Sequence, residues 1–340
     1  MRFSSCTSIL LATACLLPFT PALADTTING AIEVESSYAT SYDKNTSSNI
    51  SVAAVELAID SQLSDDVFTH LLFLHEENKT PLGVDEATIT LRNLVGKDTE
   101  LVVGQFFVAL GKLESYMVSD PLTLQLAETN EGAAQVSAPL GPLSGTIYAF
   151  QGKSGVIDQQ HDNINKFGLR LEYSDDNLET GVHYISSFAD TNGMHEAIEN
   201  FDGDPDNNSL AALQHSVAGA GVYVDYHNNA FSLVAEYIGA LKKFNANDLG
   251  ISNRGAQPAA HQLELSYFFG KHTFAVGHQG TIDAHAVSLP KSRWMAAAST
   301  KAKADTTLAL ELAHDTDYRV SEGGTGKTAL GITGQIQVTF

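Results

Sequence analysis

Thr328-Ala329-Leu330-Gly331-Ile332-Thr333-Gly334-Gln335-Ile336-Gln337-Val338-Thr339-Phe340 closes the chain, and its reading decides the fold. Leu330, Ile332, Gly334, Ile336, Val338 and Phe340 share one parity, while Ala329, Gly331, Thr333, Gln335, Gln337 and Thr339 share the other. A period of two over such a run is the signature of a strand. One face is apolar and the other is polar without charge. A membrane-spanning barrel needs tilted strands of about nine to eleven residues with apolar side chains outward and polar ones inward. Soluble sandwich strands seldom run this long.

The same alternation recurs from residue 26 onward. Leu57 and Ile59 flank Ala58, Ile89 and Leu91 flank Thr90, and Leu169 and Leu171 flank Arg170; Leu263, Leu265 and Tyr267 alternate with Glu264 and Ser266. Joints between these segments are of two kinds. Short, turn-like ones include Pro139 to Pro142, Asp175-Asp176-Asn177, His227-Asn228-Asn229 and Gly270-Lys271. Long ones run from Ala109 to Ala127, Lys153 to Asn163, Ala189 to Leu213 and Leu241 to Pro258. Up-and-down transmembrane barrels alternate short periplasmic turns with long external loops. The expected fold is therefore all-β, one antiparallel barrel of about sixteen strands over residues 25–340. Aromatic residues near strand ends, such as Phe106, Tyr184, Tyr237 and Phe274, are candidates for interfacial girdles.

Residues 1–24 read as a signal peptide: Arg2 is the n-region, Ile9 to Leu17 the apolar core and Ala22-Leu23-Ala24 the cleavage motif. A lipoprotein reading through Cys15 lacks the Leu expected three residues earlier. Both cysteines, Cys6 and Cys15, fall in this segment, so disulfides and thiolate chemistry are excluded from the expected mature chain. The net charge of -21 argues against a nucleic-acid partner. No later apolar run reaches the length of a spanning helix.

Asp85-Glu86-Ala87-Thr88-Ile89-Thr90-Leu91, Gly104-Gln105-Phe106-Phe107-Val108, Gly111, Ser119-Asp120-Pro121-Leu122-Thr123-Leu124 and Glu128-Thr129 follow one another in this order. The arrangement resembles the LbtU family of outer-membrane siderophore porins over residues 84–129. Ala109-Leu110 departs from it, since the family more typically has Pro-Phe before the Gly. The resemblance implies uptake of a ferric siderophore through a barrel without a plug, and the short interval between Asp25 and the first strand agrees with that. Phe340 resembles the terminal aromatic signal read by the barrel-assembly machinery of the outer membrane.

Read from the residues themselves, Glu86, Thr88, Thr90 and Arg92 lie on the polar face of one strand and are candidates for contact with a polar solute. Their bland reading is register pairing with neighbouring strands. Gln105, Ser119, Asp120, Glu128, Arg170 and Glu172 complete the candidate solute path. The connection from Ala109 to Ala127 is too apolar for an exposed loop, and the expectation is that it folds into the barrel mouth and narrows it. Asp202, Asp204 and Asp206 have the alternating oxygens of a calcium loop, but Asn207 replaces its glycine and Leu213 its final Glu. An acidic external loop explains them as well. None of the twelve histidines falls in a zinc-protease spacing. Ser186, His183 and Asp190 are neighbours in sequence, yet residues three apart on a strand face opposite sides, so no enzyme is expected.

No cofactor is expected; the expected surroundings are outer-membrane lipid and a ferric siderophore or small polar solute. Two alternatives to siderophore passage stand: a general or cation-preferring porin, and a surface barrel with adhesive external loops. The main physical objection to siderophore passage is charge, because many siderophores are anionic and the chain is acidic.

Overall fold

The computed structural model describes residues 25–340 apart from 78–79, 95, 158–162, 203–210 and 252–253. Sixteen strands form a closed barrel in which sequence neighbours pair antiparallel. They are β1 (Asp25–Thr40), β2 (Thr46–Ser64), β3 (Val67–Glu76), β4 (Gly83–Arg92), β5 (Glu100–Phe107), β6 (Asn130–Leu140), β7 (Leu143–Phe150) and β8 (Lys166–Ser174). The second half comprises β9 (Leu178–Ile185), β10 (Gly219–His227), β11 (Phe231–Ala240), β12 (Ala259–Phe269), β13 (His272–Ile282), β14 (Ser292–Lys303), β15 (Thr306–Thr316) and β16 (Thr328–Thr339). The barrel closes where β1 pairs with β16, from Ala31 opposite Thr339 to Thr40 opposite Leu330. Phe340 continues that seam by exchanging backbone hydrogen bonds with Gly30 at 2.9 and 3.0 Å. Its ring covers Gly30, where a Cβ would sit 2.4 Å from the ring edge.

Period two sets the two faces. The outward parity carries exposed Ile28, Ile89, Ile147, Leu263, Leu310 and Ile336. An apolar belt of this extent around a whole barrel matches a hydrocarbon surrounding, since soluble monomers seldom expose large contiguous apolar patches. The inward parity carries Glu, Gln, Ser, Thr and Tyr. Connections at one end are short, as at 65–66, 141–142, 228–230, 270–271 and 304–305. The other end holds the long ones, 108–129, 151–165, 186–218 and 241–258.

The buried apolar core lies at the long-loop end rather than in the wall. Loop 108–129 turns into the barrel and carries α1 (Leu122–Ala127), entered through Pro121 with φ -64°. Loop 186–218 carries α2 (Asn192–Asp202), which packs on α1. Leu110, Leu122, Leu126, Phe188, Met194 and Phe244 are buried together there. Gly193 permits the close helix crossing, because a Cβ at that position would lie 2.1 Å from the Gln125 carbonyl oxygen. Two short ladders, Ser154–Val156 with Ala211–Leu213 and Gly250–Ile251 with Arg254–Gly255, stiffen the same end.

Candidate functional site: the solute path

Loop 108–129 divides the lumen by leaning on one wall. Its backbone is gripped by three inward glutamates from the far half of the barrel. Glu236 of β11 accepts the N–H of Lys112 at 2.6 Å and of Leu113 at 3.2 Å. Glu264 of β12 accepts the Tyr116 N–H at 2.8 Å and the Ser115 hydroxyl. Glu311 of β15 accepts the N–H groups of Val118 at 2.6 Å and Ser119 at 3.0 Å, together with the Ser119 hydroxyl. Gln279 of β13 adds an acceptor for the Leu122 N–H at 3.0 Å. These are acceptors for amides that a loop inside a barrel has no ladder to satisfy.

Bends in the loop come from backbone rather than from proline at its start. Gly111 has φ +85° and Leu113 φ +60°, both in the left-handed region. The stem is tied to β8–β10. Lys112 reaches Glu179 at 2.9 Å, Glu114 at 3.4 Å and Asp225 at 3.7 Å. Arg170 contacts Glu172 and the Tyr223 hydroxyl closely, Glu179 at 3.2 Å and the Gly111 carbonyl at 3.4 Å. Opposite charges surround Lys112 and push its pKa above the ordinary lysine value despite a desolvation penalty that acts the other way.

Exposure separates the two walls. Glu236, Glu264 and Glu311 are 4%, 3% and 1% exposed under the loop. On β1, β2 and β4, the inward Glu33, Glu35, Glu86, Thr88 and Thr90 are half-buried and Glu56 is exposed, so water reaches them. Gln335 and Gln337 of β16 hold Glu33 and Glu35 in place, with amide donors at 3.0 to 3.2 Å and 2.6 Å. Asp120, at the loop's tip, lies within electrostatic reach of Glu33, as do Glu35 and Glu56. Glu128, just after α1, faces Asp120, Glu76 and Asp85 and accepts the Asn192 amide at 3.2 Å. Burial first, then these like charges, push its pKa up to about 7. The wetted passage is thus flanked by carboxylates on both sides. Basic groups that share this wall are paired: Arg92 with Glu100 at 3.1 Å and over the Phe68 ring, and His70 with Asp60 at 2.7 Å.

The residues singled out in sequence separate into groups. Glu86, Thr88 and Thr90 lie on the wetted wall, and Arg92 sits near the short-turn end of that face. Asp120 and Glu128 border the passage, whereas Ser119 is spent on Glu311. Arg170 and Glu172 belong to the network that holds the loop stem. Gln105 departs from its expected place: it pairs with Ala87 and Gly132 on the outward parity and is exposed near the rim. Its inward neighbour on β5 is Gly104, so the polar side chain of that pair faces away from the lumen. Asp204 and Asp206 lie outside the described residues, and Asp202 closes α2. No group of three or more His, Cys, Asp or Glu suited to a metal occurs among the described residues.

Sequence reasoning centred on residues 84–129 leaves Glu33, Glu35, Glu56, Glu236, Glu264 and Glu311 out of the candidate path, although Glu56, Glu264 and Glu311 already stand on polar strand faces. A lone Glu in mid-strand on the polar parity was the available signal.

No family model matches the chain. It is similar to a UPF0422 protein of Coxiella burnetii, 27% identical over 322 residues that cover 90% of this chain and 67% of that protein. A UPF0422 protein of Legionella pneumophila is also 27% identical, with 87% of this chain and 62% of the relative covered. The alignments therefore span roughly two thirds of these relatives' length. Among solved structures, the anion-selective porin from Comamonas acidovorans superposes with a TM-score of 0.66 at 11% identity, covering 93% of this chain and all of that one. The outer-membrane channel DcaP of Acinetobacter baumannii and OmpF of Salmonella typhi each give 0.62 at 13% identity, covering 93% of this chain and 97% of theirs. In sequence the chain is similar to UPF0422 proteins, and in fold it is a sixteen-stranded porin-type barrel.

Proposed function

We propose that the chain is an outer-membrane diffusion channel that favours cations over anions. The observation that carries this reading is the carboxylate lining of the wetted passage, Glu33, Glu35 and Glu56 on one side and Asp120 and Glu128 on the other. A low-dielectric wall focuses such a field and raises the local concentration of counter-ions. The short-turn end is then periplasmic and the long-loop end external, as in other barrels of this architecture. Anion selectivity belongs by name to the Comamonas protein, and at 11% identity that likeness concerns the fold alone.

Siderophore passage is the narrower reading, supported by the resemblance over residues 84–129. Under this lining it fits a neutral or cationic ferric complex better than an anionic one. Reversal potentials of the purified protein in a planar bilayer, under a KCl gradient, test the charge preference. Potassium permeability well above chloride permeability is the expected result, and an anion-preferring channel would overturn it. Labelled-iron uptake by a deletion strain, with and without the intact gene, tests the siderophore reading separately.

A further inference from the structure

At the long-loop end, beside the passage just described, α2 overhangs the tops of β4, β5 and β6 above an open slot of about 420 Å³. Two of its wall residues are nearly inaccessible yet incompletely satisfied. Glu131 is 7% exposed and Asn130 9% exposed, and neither Glu131 Oε1 nor Asn130 Oδ1 accepts a hydrogen bond. Buried acceptors left in this state cost about 1–3 kcal/mol each, which a bound donor recovers.

The slot already seats one primary ammonium. Lys153 points its Nζ at the Asn130 carbonyl at 3.3 Å and the Asn192 side-chain oxygen at 3.4 Å, and stands 4.0 Å from Glu131 Oε1. That single lysine leaves an acidic excess, because Asp85, Glu196 and Glu199 also line the space. His195 leans on Glu199 at 3.1 Å, and burial holds its pKa below the ordinary value, so it adds little positive charge at neutral pH.

Spacing defines the ligand. The acids do not converge on a point, and no metal-binding group of three is present among the described residues. Glu196 and Glu199 line it from α2, about 4.5 Å apart along the axis at 1.5 Å of rise per residue, while Asp85 and Glu131 line it from β4 and β6. Acceptors set apart on the two sides of a cleft suit donors at intervals along one chain.

We infer that this slot binds a linear organic cation carrying two or more ammonium groups. It rests on the channel reading only for its role as a capture station at the external mouth. The binding itself is independent of conduction.

Titration calorimetry of the full-length barrel in detergent, with spermidine as the probe, tests it. One saturable site is expected, weakened at least tenfold in Glu131→Gln and in the double variant Glu196→Gln, Glu199→Gln. The double variant alters accessible helix positions and keeps the test usable if Glu131→Gln fails to fold. Absence of binding, or equal binding in the wild type and the double variant, overturns the inference. A protein that binds spermidine but passes no ion current retains the slot and loses the channel reading; one that conducts cations without binding spermidine does the reverse.

Discussion

Ser119 gives Glu311 both its backbone N–H, at 3.0 Å, and its hydroxyl, so that one side chain of β15 fixes the tip of the inward loop from two directions. Glu236 and Glu264 do the same for the loop's earlier residues. The position of the loop is consequently set by wall carboxylates rather than by loop-to-loop packing alone. Hydrogen bonds to a charged group contribute roughly 1.5–3 kcal/mol each. Glu311→Gln, which keeps shape but loses charge, is expected to loosen the tip and broaden single-channel current noise. Unaltered noise in planar bilayers would show that packing alone holds the loop.

Deleting Lys112 to Asp120 removes the segment that crosses the lumen together with its anchored amides. Unitary conductance should rise, because the cross-section then approaches that of the empty barrel. Unchanged conductance would mean that the narrowest point lies elsewhere.

Charge on the wetted wall predicts how selectivity responds to salt. At 0.1 M the screening length is about 10 Å and at 1 M about 3 Å, so cation preference should fall as salt rises. The combined change Glu33→Gln, Glu56→Gln, Asp120→Asn should move the potassium-to-chloride ratio several-fold toward unity already at 0.1 M. A ratio indifferent to both manipulations would remove the carboxylates from the path.

In the proposed channel, Glu128 is expected to confer sensitivity near neutral pH. With its pKa raised to about 7, it is mostly neutral at pH 6 and mostly charged at pH 8. Cation selectivity should therefore drop as pH falls through that range, and Glu128→Gln should flatten the change. Linkage has the opposite sign for packing. A raised carboxyl pKa contributes stability that is complete below the unfolded value near 4.5 and is lost as pH rises through about 7. Amide exchange of Asn192, whose N–H bonds the Glu128 carbonyl at 2.7 Å, should accelerate from pH 6 to pH 8 beyond the intrinsic chemical rate.

The outward belt can be probed directly. Leu263→Arg places a cation among lipid-facing side chains, with an expected cost of about 2–4 kcal/mol near the midplane. Urea titration of refolding into lipid vesicles should register that loss, while Thr88→Arg on the wetted wall should cost far less.

The strand pattern was open to sequence reading because alternation is a local property. Thr328–Thr339 forms β16 with the parities expected from its residues, and Leu263 and Glu264 likewise fall on opposite faces. The apolar content of the connection after Phe107 foretold an inward loop, since Leu110, Leu122 and Leu126 had to be covered. What stayed hidden was long-range. Glu311 meets Ser119 across 192 residues of chain, and no local pattern encodes which wall a loop leans against. Gln105 comes into the candidate path with the Gly104-Gln105-Phe106-Phe107-Val108 run, and its parity, shared with exposed Val103 and Phe107, sets it outward. Near the rim an outward polar residue meets headgroups and water rather than hydrocarbon, so the rule relaxes there.

The seam between β1 and β16 has a temporal meaning as well. Its partners run from Ala31 opposite Thr339 to Thr40 opposite Leu330, the most remote pairing in the wall. Loop-closure entropy makes such contacts slow to form, and no partial set of strands can supply them. Until the sixteenth strand has been made, every intermediate carries two unpaired edges, each a template for another chain. Both edges therefore stay open until the last residues of the chain have been made.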